Sequence, residues 1–315
     1  MTTTPPVIAL LFVASTASAA ITIDTVFVGN AGNAVDTTGF GAVSYDYHIG
    51  THEVTNAQYT SFLNAVAATD THSLYNTNMD SNFRGGISRS GTSGSYSYST
   101  KTNMADMPVN YVSFWDAARF TNWLTSGSTE SGVYVLTSTG ISNNTITRDT
   151  TAWNAGGVAI ASENEWYKAA YYAGSSYFDY PTQSNDEPTA IAPGDATGSN
   201  NANYNNTVES VTDVGAYPNS ASHYGTFDQG GNVWEWNDKI LFTSGRGLLG
   251  GSFNFSVSTL QSSSRNSGIP SDEESNIGFR VSSLAPIPEP SSYGAIFGIV
   301  GLATAIFFRR KRRRG

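Results

Sequence analysis

The chain has 315 residues, of which only 13% are charged and 12% are aromatic, and it contains no cysteine. The lack of cysteine excludes disulfide bonds and every thiol-based mechanism. Six of the 16 basic residues lie in 309–314, which leaves 10 basic and 24 acidic residues in 1–288, a net charge of −14. Such an acidic surface excludes nucleic acid as a partner and is compatible with divalent cations and neutral polymers.

The first twenty residues have the pattern of a secretory signal peptide. An apolar run from Val7 to Val13 precedes Ala17-Ser18-Ala19, whose small residues at alternate positions are typical of a cleavage site. We therefore predict a signal peptide at 1–20 and an exported protein. A buried first strand is the alternative interpretation of the same apolar run.

Residues 285–315 combine three features. Pro288-Glu289-Pro290 follows a short spacer, 293–308 is an apolar run of 16 residues, and 309–314 are all basic. The run predicts a short transmembrane segment, and the basic cluster predicts that its end is cytoplasmic. Together the features resemble the PEP-CTERM sorting signal. That resemblance implies a Gram-negative bacterium, processing by an exosortase-type enzyme, and an exported domain at the cell envelope or surface, anchored in the membrane before processing. An ordinary C-terminal anchor is the alternative.

Between these ends, the pattern predicts strands first and helices afterwards. Ile21-Thr22-Ile23 and Val43 to Tyr47 alternate with the period of two that favours strands. Three segments then begin with a capping pattern, a hydroxyl residue followed three positions later by an acid or an amide. These pairs are Thr55 with Gln58, Ser113 with Asp116, and Ser162 with Glu165. Apolar stripes follow each cap and predict the core-facing sides of the helices: Tyr59, Phe62, Leu63 and Val66; Phe114, Ala117, Ala118 and Leu124; Trp166, Ala169, Ala170 and Tyr172.

Long polar segments separate the predicted helices. Residues 84–103, 137–157 and 181–207 are rich in Gly, Ser, Thr and Asn, with interleaved tyrosines in the first. Loops of this length in one domain are usually functional or mobile. No Gly/Pro linker divides 21–284, which indicates a single domain.

The segment from Tyr224 to Asp238 carries the densest set of candidate ligands. Its glycines permit backbone turns that a Cβ would forbid, and the turns can bring Asp228, Glu235 and the intervening carbonyls around one hard cation. Calcium prefers such an all-oxygen shell. A core turn whose acids cap backbone amides is the equal alternative. Trp234 and Trp236 are expected to bury apolar surface on either side of Glu235.

Six ordered segments resemble the formylglycine-generating enzyme family, also called the sulfatase-modifying factor domain. The resemblance implies an α+β fold over 21–284, an irregular, loop-rich variant of the C-type lectin fold in a single domain. The segments are 47–59 (YHIGTHEVTNAQY), 107–117 (MPVNYVSFWDA), 161–170 (ASENEWYKAA), 231–236 (GNVWEW), 249–253 (LGGSF) and 275–281 (SNIGFRV).

The resemblance also implies which activity of the family this chain lacks and which of its residues correspond to metal ligands of the family. The related enzymes oxidise a substrate cysteine with copper held by two cysteines. The approximate position of the second falls on Ser262, and the first has no secure counterpart because the interval is shorter here. A serine hydroxyl cannot replace a thiolate as a copper(I) ligand, so neither copper nor formylglycine-generating activity is expected. The ligands implied for structural calcium are Asp228, Gly231, Val233 and Glu235, with Asn203 and Tyr204 as part of a second site.

The histidines and two arginines offer weaker patterns. His48 and His52 are four apart beside Glu53, which permits a metal site but is more typical of a strand-to-helix entry. A hydrolase would have to use His72 or His223, and neither has a nucleophile motif nearby. Arg265 and Arg280 are predicted to be structural, pairing with carbonyls or acids under the last strands.

Two classes of function remain from the sequence. The favoured one is a non-catalytic, calcium-stabilised surface module that presents polar loops to a ligand, such as an extracellular polysaccharide or a surface protein. The alternative is a metal-dependent oxidoreductase or modifying enzyme of the same family that works without cysteine. A matrix component with no specific ligand is a third, plainer possibility.

Overall fold

A computed structural model describes residues 21–242 and 244–287. The predicted signal peptide (1–20) and apolar run (293–308) lie outside these ranges. Within the described ranges, no helix is long and apolar enough to cross a membrane. The helices there are α1 (Asn56–Val66), α2 (Asn78–Ser81), α3 (Phe114–Ser126), α4 (Ser138–Ser142), α5 (Thr150–Asn154) and α6 (Glu163–Tyr171).

The described strands are mostly short and form two four-stranded sheets and two small ladders. They are β1 (Thr25–Val28), β2 (Tyr47–Gly50), β3 (Ile87–Ser90), β4 (Ser97–Thr100), β5 (Ala159–Ile160), β6 (Thr189–Ala190), β7 (Asn201–Ala202), β8 (Trp234–Leu241), β9 (Gly245–Leu249), β10 (Asn266–Gly268), β11 (Ile277–Phe279) and β12 (Val281–Ser283).

The chain passes from one large sheet to the other at a single residue. The first has the order β1-β2-β12-β5 and is antiparallel throughout. The second has the order β10-β9-β8-β11, in which β11 runs parallel to β8 and aligns Gly278 with Glu235. Because β11 ends at Phe279 and β12 begins at Val281, Arg280 lies where the chain passes from one sheet to the other.

The sequence placed the first strands incorrectly. The segment Ile21–Ile23 is not a strand, and the second predicted strand begins only at Tyr47. Both isoleucines are nevertheless buried, at 5% and 8% exposure, so their alternation reflects packing on the core and not pairing in a sheet. Burial and strand pairing give the same period-two signal, which sequence cannot separate.

The three capped helices are confirmed. Thr55, Ser113 and Ser162 each accept from the amide three residues later, and each N-cap amide donates to the side chain at that position. Their predicted stripes pack in the two main core clusters, with Val66 and Leu124 only partly buried. Tyr172 is the exception: it follows the last residue of α6 and, although buried, belongs to neither cluster. Trp234 and Trp236 are buried as expected, at 3% and 0% exposure.

The polar segment 84–103 contains a hairpin that the sequence did not predict. β3 and β4 pair antiparallel, with Ile87 opposite Thr100. The hairpin is attached to α1 because Asn64 donates to the Tyr98 carbonyl and accepts from the Tyr98 amide, both at 2.9 Å. The segments 137–157 and 181–207 likewise contain short elements: α4 and α5 in the first, β6 and β7 in the second.

Candidate functional site

A buried ion pair occupies the junction between the two sheets. The Arg280 guanidinium donates to both carboxylate oxygens of Glu235, each at 2.6 Å, and the Trp166 indole donates to the same carboxylate at 2.7 Å. Both charged side chains are fully buried. Arg280 also donates to the carbonyls of Gly50 and Phe227, which confirms the structural role predicted for it. The pair therefore connects residues 231–236 (GNVWEW), called the signature segment below, to both sheets.

Two further carboxyl groups face this arginine. Glu53 lies 3.9 Å from the guanidinium through an oxygen that has no hydrogen-bond partner, and Asp228 accepts from the Gly215 amide at 2.6 Å. Burial, together with the neighbouring Asp228 and Glu235 charges, raises the pKa of Glu53 well above its ordinary value. Burial raises the pKa of Asp228 to about 6, with a smaller contribution from Glu235.

The two segments predicted to hold metal are brought together. Gly231 has φ +90°, and a Cβ at this position would lie 2.2 Å from the Asn203 carbonyl oxygen, so only glycine fits. The Asn232 amide donates to that same carbonyl at 2.8 Å. Val233 is buried in a small apolar cluster, while the Tyr204 phenol donates to Pro188 at 2.6 Å. The ring and the hydroxyl of Tyr204 therefore fix the position of this residue.

The arrangement fits calcium only in part. Glu235 has both oxygens engaged by Arg280 and Trp166, so a cation there would require it to leave the arginine. Asn203 does offer a buried side-chain oxygen without a partner. Asp228 lines a cavity of about 10 Å³, roughly the volume needed for one water molecule. Calcium at this loop stays a prediction.

The histidines lie apart from one another. His52 stacks on Phe227 at 5.3 Å between ring centroids, and burial, with Arg280 nearby, lowers its pKa to about 4. His48 packs against Phe27, and His72 lies 3.3 Å from Glu130. Within 21–242 and 244–287, no group of three or more His, Asp or Glu side chains is arranged to hold a metal ion.

Ser262, which the family resemblance places at the approximate position of a cysteine, is buried at 7% exposure. Next to it, the Tyr167 phenol donates to Asp36 and shares a hydrogen bond of 2.8 Å with the Thr38 hydroxyl. The Ser262 amide donates to the Asp179 carbonyl at 2.8 Å. Burial raises the pKa of Tyr167 to about 12, so the phenol keeps its proton at neutral pH.

Ser262 lines an open cleft of about 640 Å³ on the surface. The walls come from three segments: 34–38 before the first sheet's second strand, 172–179 after α6, and 261–263. Hydroxyl groups and aromatic rings dominate the lining, which includes four serines, two threonines, Tyr172 and Tyr177. The lining therefore offers hydrogen-bonding groups and ring surfaces to a polar ligand.

Fold and site together define a variant of the C-type lectin fold of the formylglycine-generating type. The chain belongs to the sulfatase-modifying factor enzyme 1-like domain family, whose sequence profile matches residues 33–284. A PEP-CTERM protein-sorting motif matches 286–313, so the protein carries a signal for export and sorting to the Gram-negative cell envelope by exosortase-type machinery. None of the curated protein sequences compared with the chain matches it.

Solved structures agree on the fold. The crystal structure of CarF is similar with a TM-score of 0.54 and 22% identity over 84% of this chain and 98% of CarF. Variable protein 1 of Treponema denticola is similar with a TM-score of 0.51 and 18% identity, again over 84% of this chain and 98% of that protein. At such identities the likeness shows the fold alone.

Sequence reasoning missed two parts of these sites. It treated Glu53 only as a neighbour of two histidines, although Glu53 hydrogen bonds Asn232 of the signature segment at 3.1 Å. It also missed two walls of the cleft, 34–38 and 172–179. No motif marks those walls, because the cleft is assembled from side chains that are far apart in the chain.

Proposed function

We propose that this exported domain is a non-catalytic binding module that holds its ligand in the cleft beside Ser262. The observation that carries the proposal is the residue at the cysteine position implied by the resemblance: it is Ser262, which lines the cleft and whose amide donates to the Asp179 carbonyl. The chain has no cysteine at all, so no thiolate is available for copper(I). The cleft has a volume of about 640 Å³, a size typical of ligand sites.

The test uses the exported protein purified from the cell envelope. With copper, oxygen and a cysteine-containing peptide, we expect no loss of the peptide thiol. The same protein is expected to sediment with the extracellular polymer of the producing cells. A variant that fills the cleft, Ser263→Trp, should lose this association, whereas Ser93→Trp on the distant β3–β4 turn should keep it, since both serines are exposed. Peptide oxidation by the wild type would contradict the proposal.

Calcium is proposed as a structural ion of this module. The support is the free Asn203 oxygen and the small cavity beside Asp228; the Glu235–Arg280 pair argues against Glu235 as a ligand. We expect the metal content of the purified protein to show calcium, and chelation to lower the melting temperature because the ion binds only the folded state. Stoichiometric copper or iron would favour the rival enzyme, and no metal with no shift would contradict the calcium proposal.

A further inference from the structure

We propose that the cleft beside Ser262 binds a neutral, polyhydroxylated ligand, that is, an uncharged oligosaccharide segment. The inference rests on the proposed binding function and names the ligand class of that same cleft. Three properties of the lining support this inference. They are hydroxyl groups without hydrogen-bond partners inside the protein, an aromatic wall held in place, and a negative charge that disfavours anionic ligands.

The free polar groups line the cleft on two sides. The hydroxyls of Ser175, Ser176 and Ser263 make no hydrogen bond within the described part of the chain, and all three residues are exposed. The Asp179 carboxylate is exposed beside them. A hydroxyl is both donor and acceptor and a carboxylate is an acceptor, so the set complements the hydroxyls of a sugar.

An aromatic wall lies next to these groups. The rings of Tyr172 and Tyr177 are 4.9 Å apart between centroids. Tyr177 cannot turn away freely, because its phenol donates to the Ala34 carbonyl at 2.8 Å and accepts from Asn33 at 2.6 Å. Phe178 extends the wall and is half-buried. Rigid aromatic rings offer apolar area at low entropic cost, and the C–H face of a sugar ring packs on such a surface.

The charge of the lining excludes an anionic ligand. Among the lining residues, the charged ones are Asp36 and Asp179, and no Lys or Arg is present. Burial would raise the pKa of Asp36, but hydrogen bonds from Tyr167, Thr37 and Thr38 outweigh it and keep that pKa below the ordinary value.

The nearest arginine does not change this balance. The Arg265 guanidinium lies 3.9 Å from the Phe40 ring centroid and 3.2 Å from Glu163, and it donates to the carbonyls of Ser262 and Ser264. Its Nε and Nη2 atoms are buried without a hydrogen-bond partner, and the ion pair with Glu163 balances its charge. A uronic-acid or phosphate polymer would meet two carboxylates and no Lys or Arg in the lining.

The backbone of the walls argues against an extended peptide. The Phe178 amide donates to Tyr171, the Ser262 amide to Asp179, and the Asp179 amide to the Asn185 side chain. Addition of a peptide strand needs a row of unpaired main-chain groups at an edge. Because these groups are already paired, recognition falls to side chains, which favours a sugar over a peptide.

The experiment measures binding of the exported protein to an array of neutral and uronic-acid-containing oligosaccharides and to a pool of unstructured peptides. We expect neutral oligosaccharides alone to bind, and calorimetry with the best neutral oligosaccharide to show a loss of about tenfold or more in affinity for Ser263→Trp and for Asp179→Lys. Ser93→Trp, with an equally exposed serine far from the cleft, is the matched control, and melting curves of all variants check folding.

The outcomes separate the ligand class from the binding function. Binding of uronic-acid oligosaccharides or peptides that Ser263→Trp abolishes would overturn the neutral-sugar inference and leave the binding module intact. Neutral binding that Ser263→Trp does not affect would place the site elsewhere and also overturn the inference. If neither the array, the peptides nor the cells' own extracellular polymer is bound, the binding function and the inference both fail.

Discussion

At the scale of single residues, the signature segment depends on the side chains of Glu235 and Arg280 and on the absence of a Cβ at Gly231. Arg280 and Glu235 neutralise each other in full burial at the junction of the sheets. Such a pair is costly to break, because removal of one partner leaves an uncompensated charge. Gly231 lets the segment turn against Asn203, which brings the segment beside 203–204.

Replacement of Gly231 by alanine tests this close approach. The new Cβ would meet the Asn203 carbonyl at 2.2 Å in addition to the strain of φ +90°, so we expect a loss of about 3 kcal/mol in the free energy of unfolding. Gly156→Ala is the matched control: φ there is +88°, yet nothing lies within 4 Å of the added Cβ. Its expected cost is about 1 kcal/mol, from backbone strain alone. Equal losses in urea unfolding would contradict the role of Asn203.

At the scale of elements, the capping boxes decide where the three main helices begin. In α3 the capping box contains an ionisable residue that is buried in the core. This residue, Asp116, accepts from the Ser113 amide at 2.9 Å and from the Ser113 hydroxyl at 2.6 Å. Burial raises the pKa of Asp116 to about 7, helped by the Glu273 charge and opposed by the bonds from Ser113. The helix start is therefore coupled to pH.

The sign of this coupling follows from the raised pKa. The folded state binds the proton more tightly than the unfolded chain, whose Asp has a pKa of about 3.9. The stabilisation is thus complete below about pH 4 and is lost as the pH rises through about 7. We expect Asp116→Asn to flatten the decline in melting temperature between pH 4 and 7 and to raise it at pH 7 by about 2 °C or more. Asp149→Asn, at the exposed cap of α5, should leave the profile unchanged. An unaltered slope in Asp116→Asn would contradict the assignment.

At the scale of the whole molecule, the last strand of the domain, β12, is an inner strand of the first sheet. β12 pairs with β2 on one side and β5 on the other, so strands from residues 47–50 and 159–160 meet only through Val281–Ser283. The sorting motif begins at 286, three residues after this strand. The last strand of the fold therefore stands directly before the segment that the sorting machinery recognises.

Truncation tests this dependence on the last strand. A chain ending at Ile287 should unfold in one cooperative transition, because the whole sheet is present. A chain ending at Arg280 should show none, since β2 and β5 would lose their shared neighbour along with the buried Val281. The measurement is urea unfolding followed by tryptophan fluorescence. A cooperative transition in the shorter chain would show that β12 is dispensable.

The sequence alone determined the family, the three capped helices, the buried tryptophans and the structural arginines, because each depends on local chemistry or on an ordered set of motifs. The local sequence pattern gave a wrong prediction at Ile21 and Ile23, because a buried irregular segment and a strand show the same period of two. It also did not predict the hairpin at 87–100, because the polar composition of that segment is typical of loops.

Only the tertiary structure decided the sites. The packing of distant segments set the partners of Glu53 and Glu235 and gathered three separate stretches around Ser262. The physical reason is that the partner of a carboxylate or a hydroxyl is whichever group folding brings within hydrogen-bond distance. A carboxylate can bind a metal cation or a guanidinium, and a hydroxyl can bind a ligand or a neighbouring side chain. Sequence separations of 45 residues between Glu235 and Arg280, and 179 between Glu53 and Asn232, carry no such information.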